Sequence, residues 1–149
     1  MNLFDAIKTF FSKSFNFDDR ATRAEFWLSL LFAYVAFLVP IYFAATVYVA
    51  VKSDALFAIL IALVACFALV LFIPFLAVSV RRLHDTGKSG WLLLLHFVPL
   101  GQLVIFYFML EPSDLHENKY GPNEDYEYYK SIILEDEKAN HPQNEMASM

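Results

Sequence analysis

The sequence predicts an all-α membrane protein with three transmembrane helices and an N-terminal amphipathic interfacial helix. None of the 11 Lys and Arg residues and none of the 16 Asp and Glu residues lies in three long apolar runs. These runs cover residues 26–51, 55–80 and 91–110 and contain 26, 26 and 20 residues, and about 20 apolar residues suffice for a helix to cross a bilayer. Hydrophobic residues make up 58% of the chain and its mean hydropathy is +0.47, which is too apolar for a soluble domain.

The segment before the first run has the pattern of an amphipathic helix. Its apolar residues recur at helical spacing, as Leu3, Phe4, Ile7, Phe10 and Phe11. Polar and basic residues take the opposite face, and a helix of this kind can lie among lipid headgroups. The alternative is that the segment packs against the ends of the other helices.

The first run follows a helix-start signal and interfacial residues. Thr22 and Glu25 have the spacing of a capping box, in which each side chain bonds to the backbone amide of the other residue. This capping role explains why the carboxylate of Glu25 lies at the start of an apolar helix. Trp27 is typical of the membrane interface, and Arg20 and Arg23 are suited to lipid phosphates.

The connector between the second and third runs is rich in polar residues. It reads Arg-Arg-Leu-His-Asp-Thr-Gly-Lys-Ser-Gly-Trp over residues 81–91. Its cations suit the C-terminal end of the second helix, and Gly87 suits a left-handed helix cap. We predict a polar cluster between this connector and the start of the first helix, formed by Arg20, Arg23, Glu25, Arg81, Arg82, His84 and Asp85. Such a cluster either locks the first two helices together or holds an anionic headgroup.

The third run is interrupted at its centre by Pro99 and Gly101. Proline removes a backbone donor from a helix, but neighbouring helices can satisfy the freed groups in a membrane. We therefore predict a bent helix that spans the bilayer, with a re-entrant hairpin as the alternative. The polar residues His96 and Gln102 also lie in this run, and we expect them to bond to neighbouring helices.

Basic residues predict the orientation, because Lys and Arg near membrane helices stay in the cytoplasm. The N-terminal segment and the second connector carry most of them, whereas Lys52, Lys119 and Lys130 would lie on the other side. The N-terminus is thus predicted to be cytoplasmic, and three crossings then place the C-terminus outside. A re-entrant hairpin would instead leave the C-terminal tail inside.

Residues 111–149 form an acidic tail with 3 basic and 10 acidic side chains. Such a tail repels phosphates, so nucleic acid is not expected as a partner. We divide the chain into a membrane domain, residues 1–123, and a partly disordered tail, residues 124–149.

The sequence contains no recognisable active site, and we assign no catalytic residue, metal ligand or cofactor. His84 and Asp85 are adjacent, but neighbours in sequence need not face each other. No second His or Cys stands at metal-site spacing from His84. Cys66 is the one cysteine in the sequence, so it cannot form an intrachain disulfide.

Four motifs resemble the bacterial YhaH-like inner-membrane family, which is catalogued as domain of unknown function 805. They are Arg-Ala-Thr-Arg-Ala-Glu-Phe-Trp over residues 20–27, the connector over residues 81–91, Pro99-Leu-Gly101, and Asn118-Lys-Tyr-Gly-Pro122. The resemblance covers roughly residues 1–123, and Asp19 departs from it where the family often has glycine. It implies a small multi-pass protein of the bacterial inner membrane, so the outer side would be the periplasm. It implies no reaction, substrate or cofactor.

The sequence favours a non-catalytic membrane module that binds lipids, including anionic ones, a second copy of itself or a larger membrane partner. One alternative is a subunit of an oligomeric transporter or channel for small solutes, with His96 and Gln102 on its pathway. The other is an enzyme acting on lipid headgroups at the cytoplasmic face. In that enzyme His84 would be the base, Asp85 would orient it, and Arg81 or Arg82 would hold phosphate.

Overall fold

The computed structural model describes residues 1–114 and 117–123, together with residues 126, 128, 130–132, 134 and 135. The α-helices with defined bounds are α1 (Leu3–Ser12), α2 (Arg23–Val51), α3 (Asp54–Asp85) and α4 (Gly101–Leu110), and the described residues between 126 and 135 are also helical. A 3-10 helix, Gly90–Phe97, lies between α3 and α4. Within the described part of the chain there is no strand, which agrees with the all-α prediction. Most of the predicted tail, including residues 136–149, lies outside the described residues.

The two long helices α2 and α3 form an antiparallel hairpin. Lys52 adopts a left-handed conformation in the connecting turn, and Ser53 caps α3 by accepting a hydrogen bond from the Leu56 amide. The helices contain 29 and 32 residues, and only 6% of the most apolar window of each is buried. Their apolar side chains therefore face outward, which is typical of helices in lipid and not of helices in a soluble core.

Helix α1 packs against α2 and α3 at the end of the hairpin where α2 begins. Asn2 accepts a hydrogen bond of 2.8 Å from the Asp5 amide and so caps the helix. Phe10 is fully buried, and its ring meets that of Phe32 edge-on at 5.7 Å. Phe4 is 83% exposed, so α1 packs through one face only. Its position among lipid headgroups remains a prediction.

The third apolar run does not form the single bent helix that we predicted. The 3-10 helix ends at Phe97, and Leu100 has a left-handed φ of 63° before α4 begins. Pro99 supplies the physical reason, because it donates no hydrogen bond and keeps the preceding residue extended. A Cβ atom on Gly101 would lie 2.0 Å from the Leu95 carbonyl oxygen, so the two arms touch here. We call residues 90–110 the apolar hairpin.

The apolar hairpin begins and ends beside the C-terminal end of α3. Gly90 lies against the Val80 and His84 side chains, and Arg82 Nε donates to the Met109 carbonyl at 3.3 Å. Helix α4 has 10 residues, and 10 residues give about 15 Å, half of a hydrocarbon core of about 30 Å. The structure therefore does not confirm the predicted third crossing. Residues 111–123 lie at the same end of the long helices as the N-terminal segment, and not at the opposite end.

Candidate functional site

The structure brings the predicted polar residues to one end of the long-helix hairpin. Four of them, at residues 81, 82, 84 and 85, occupy the last turns of α3. Glu25 lies in the first turn of α2, where Thr22 caps the helix by accepting from the Glu25 amide at 3.3 Å. Arg20 lies just before that cap. Arg23 is exposed at the edge and donates to the Glu111 carbonyl at 3.2 Å.

Buried ion pairs connect five of these residues, which we call the charged cluster: Arg20, Glu25, Arg81, Arg82 and Asp85. Asp85 Oδ1 accepts from Arg20 Nε at 3.0 Å, and Asp85 Oδ2 accepts from Arg82 Nη1. Arg81 Nη1 donates to Glu25 Oε1 at 2.5 Å. All five side chains are at most 6% exposed. Charges removed from water to this degree need partners, because each unpaired ion costs several kcal/mol.

Two arginines of the charged cluster, Arg20 and Arg82, also bind backbone carbonyls from the segments around them. Arg82 donates to the carbonyls of Met109 and Glu111 at the end of α4. The last carbonyls of a helix lack partners within the helix and favour a cation. Arg20 donates to the carbonyls of Asp114 and Gly121. The cluster thus joins α2, α3, the apolar hairpin and the segment after it, which favours the locking role over the headgroup role.

A cleft of about 500 Å³ lies beside the charged cluster, and we call it the His84 cleft. Its apolar walls come from α3 and from the 3-10 helix, through Leu76, Val80, Leu93 and Leu94. The polar or aromatic residues that also line it are Phe17, Asp18, His84, Ser89, Trp91 and Tyr120. The 3-10 helix approaches α3 closely, since a Cβ atom on Gly90 would lie 2.6 Å from Val80 Cγ1.

His84 is held in place through its ring and its backbone. The ring stacks on Tyr120 with 3.6 Å between centroids and 2° between planes, and the Asn118 side-chain amide donates to the His84 carbonyl at 3.1 Å. His84 is only 7% exposed, yet its Nδ1 atom has no hydrogen-bond partner among the described residues. Asp85 is engaged with Arg20 and Arg82, so it does not orient His84. The alternative hypothesis of an enzyme with His84 as its base therefore lacks the carboxylate that would orient this histidine.

The two intramembrane polar residues share a second, smaller cavity of about 180 Å³. His96 and Gln102 line it together with Trp27 and Ser79 from the long helices. His96 Nδ1 lies 3.1 Å from the Leu93 carbonyl, which belongs to its own 3-10 helix. A hydrogen bond from His96 to a neighbouring helix stays a prediction.

Residues 14–122 match the family described as "Protein of unknown function (DUF805)". The chain belongs to this family. The matched range includes both long helices, the charged cluster and the His84 cleft, and it confirms the resemblance seen in the motifs.

The named relatives are described as inner membrane proteins. Over 58 residues, 38% of this chain and 48% of the relative, the chain is 40% identical to "Inner membrane protein YhaH" of Escherichia coli (strain K12). Over 56 residues, 37% of this chain and 48% of the relative, it is 45% identical to "Inner membrane protein YhaI" of the same strain. The chain thus spans about half the length of the curated relatives it matches.

No solved structure matches it significantly. With its two long apolar helices, it is a membrane protein.

Sequence reasoning missed three residues of the cleft. Tyr120 stacks on His84, Asp18 lies at the rim, and Gly90 permits the close approach of the 3-10 helix. A signal was present for two of them. Tyr120 lies in the fourth motif and Gly90 in the second, but neither motif by itself indicates a contact with His84.

Proposed function

We propose that this protein is a non-catalytic inner-membrane module that binds a membrane lipid in the His84 cleft. The observation that carries the proposal is an apolar cleft of about 500 Å³ lined by a buried histidine whose Nδ1 has no described partner. Small-molecule sites are typically apolar clefts of this size with a few polar groups that orient the ligand. The cleft adjoins the outward-facing apolar surface of α3, which favours an acyl chain as its occupant.

The charged cluster is a less suitable lipid site than the cleft. Arg81 is fully buried and binds Glu25, and its Nε and Nη2 atoms have no partner among the described residues. Arg20 and Arg82 already share the Asp85 carboxylate. A phosphate would have to displace those partners and leave a buried carboxylate unpaired, which is costly. We therefore assign the cluster the role of holding the cleft walls in place.

The proposed topology has two crossing helices and a re-entrant apolar hairpin, with both ends of the membrane domain in the cytoplasm. Basic side chains support it, since those of the charged cluster, Lys88 and Lys119 lie at one end of the long helices. Lys52 stands in the turn at the other end. Basic residues mark the cytoplasmic side.

Reporter fusions test this topology. A fluorescent protein fused after residue 149 is expected to fluoresce, because it stays in the cytoplasm, and alkaline phosphatase at the same site is expected to be inactive. Phosphatase inserted between Lys52 and Ser53 is expected to be active, which serves as the matched control. Active phosphatase at the C-terminus with a dark fluorescent fusion would contradict the proposed topology.

A substitution that fills the cleft tests lipid binding. Leu94→Trp places a bulky ring on the cleft wall, and we expect retained lipid to fall about tenfold, equivalent to about 1.4 kcal/mol of binding free energy. Native mass spectrometry of the protein extracted gently from membranes measures the retained lipid.

Leu69→Trp is the matched control, because Leu69 is 69% exposed on α3 and does not line the cleft. It is expected to retain lipid at the wild-type level. Equal retention by both variants and the wild type, or no retained lipid in the wild type, would rule out the cleft as the binding site.

A further inference from the structure

An acidic side chain, Asp18, lines the His84 cleft, and a basic side chain, Lys119, lies beside its Tyr120 wall. Asp18 lines the cleft and is exposed, and its carboxylate forms no ion pair with the described residues. Lys119 places its Nζ 4.8 Å from the centroid of the Tyr120 ring, which also lines the cleft. The rim therefore presents two opposite charges near the stacked His84–Tyr120 pair.

The cleft becomes apolar away from this rim. Val80 and Leu76 continue into the apolar run of α3, and Leu93 and Leu94 face them from the 3-10 helix. Trp91 at the mouth is 79% exposed, and exposed tryptophan suits the membrane–water interface. An occupant would thus have its polar end at the rim and its acyl chain along the apolar walls.

We propose that the rim selects a phospholipid whose headgroup carries both an ammonium and a phosphate, as phosphatidylethanolamine does. The ammonium pairs with Asp18 and the phosphate pairs with Lys119. This assignment rests on the proposed function, because it requires a lipid in the cleft. An anionic headgroup without an amine, such as that of phosphatidylglycerol, would bring no cation to Asp18.

A competition experiment tests the headgroup assignment. The full chain is reconstituted with equal amounts of phosphatidylethanolamine and phosphatidylglycerol that have the same acyl chains, and native mass spectrometry counts the lipid retained. Wild-type protein is expected to retain phosphatidylethanolamine about threefold over phosphatidylglycerol, a ratio in the range of one partly exposed ion pair.

Two variants and a control make the result specific. Asp18→Asn is expected to abolish the preference, and Lys119→Gln is expected to lower the retention of both lipids. Asp54→Asn removes an exposed carboxylate at the far end of α3 and is expected to keep the wild-type ratio.

The outcomes separate the headgroup assignment from the proposed function. If lipid is retained but the wild type shows no preference, prefers phosphatidylglycerol, or keeps its preference in Asp18→Asn, the headgroup assignment is overturned and lipid binding in the cleft stands. If neither lipid is retained by the wild type, both are overturned.

Discussion

Replacing Asp85 by Ala is expected to destabilise the protein by about 3–5 kcal/mol, the range measured when one partner of a buried ion pair is removed. Asp85 is 2% exposed and binds two guanidinium groups, those of Arg20 and Arg82. Its removal leaves both cations buried without their carboxylate. The free energy of unfolding in an SDS titration of the purified protein measures the effect.

An exposed ion pair on the same end of the molecule provides the control. Lys13 Nζ lies 3.1 Å from Asp19 Oδ2, and the two side chains are 32% and 45% exposed. Lys13→Ala is therefore expected to lower the free energy of unfolding by about 1 kcal/mol or less. If Asp85→Ala cost no more than Lys13→Ala, the charged cluster would not be the lock that we describe.

Replacing Gly101 by Ala is expected to open the apolar hairpin. We expect it to lower the free energy of unfolding by about 3 kcal/mol or more, at the upper end of the range for an overpacked site. The added Cβ would lie 2.0 Å from the Leu95 carbonyl oxygen and 2.9 Å from its carbon. These are backbone atoms, so a side-chain rotation cannot relieve the clash. The same SDS titration measures the loss.

The opening of the hairpin should also empty the His84 cleft, because the 3-10 helix supplies one of its walls. Native mass spectrometry of the Gly101→Ala variant is therefore expected to show little retained lipid. The neighbouring Gln102→Ala is the control, because it adds no atoms at an exposed position of α4. We expect it to change the free energy of unfolding by no more than about 0.5 kcal/mol. Equal stability of the two variants would show that the arms do not touch at Gly101.

The long helices and the charged cluster were predictable because their signals are local. Charges are excluded from the apolar runs, and the cap at Thr22 and the turn at Lys52 follow from residues next to them in the sequence. The partners within the cluster were not predictable. Nothing near Asp85 in the sequence indicates that it binds Arg20, 65 residues away, while Arg81 binds Glu25.

The path of the third run was not predictable from its composition. A spanning helix and a re-entrant hairpin need the same apolar residues, and Pro99 and Gly101 are compatible with both. Two contacts distinguish them: the close approach of Gly101 to Leu95 and the hydrogen bonds from Arg82 to the end of α4. Similarly, the adjacency of His84 and Asp85 suggested a pair, but the fold places Tyr120, and not Asp85, against the His84 ring.

The third run must fold back for the 3-10 helix to form a wall of the cleft and for the chain to return to its starting side. Lys88 Nζ and the Glu111 carboxylate, just outside the two ends of the run, form an ion pair. A double variant, Lys88→Cys with Glu111→Cys, carries spin labels at these positions in lipid nanodiscs. Cys66 is exposed, so it is replaced by Ser to leave only the two labels.

The distance between the two labels, measured by pulsed electron paramagnetic resonance, shows whether the third apolar run folds back. We predict a distance of at most about 15 Å, half the thickness of the hydrocarbon core. A helix that crossed the bilayer between these positions would separate the labels by about 30 Å or more, and that result would contradict the account.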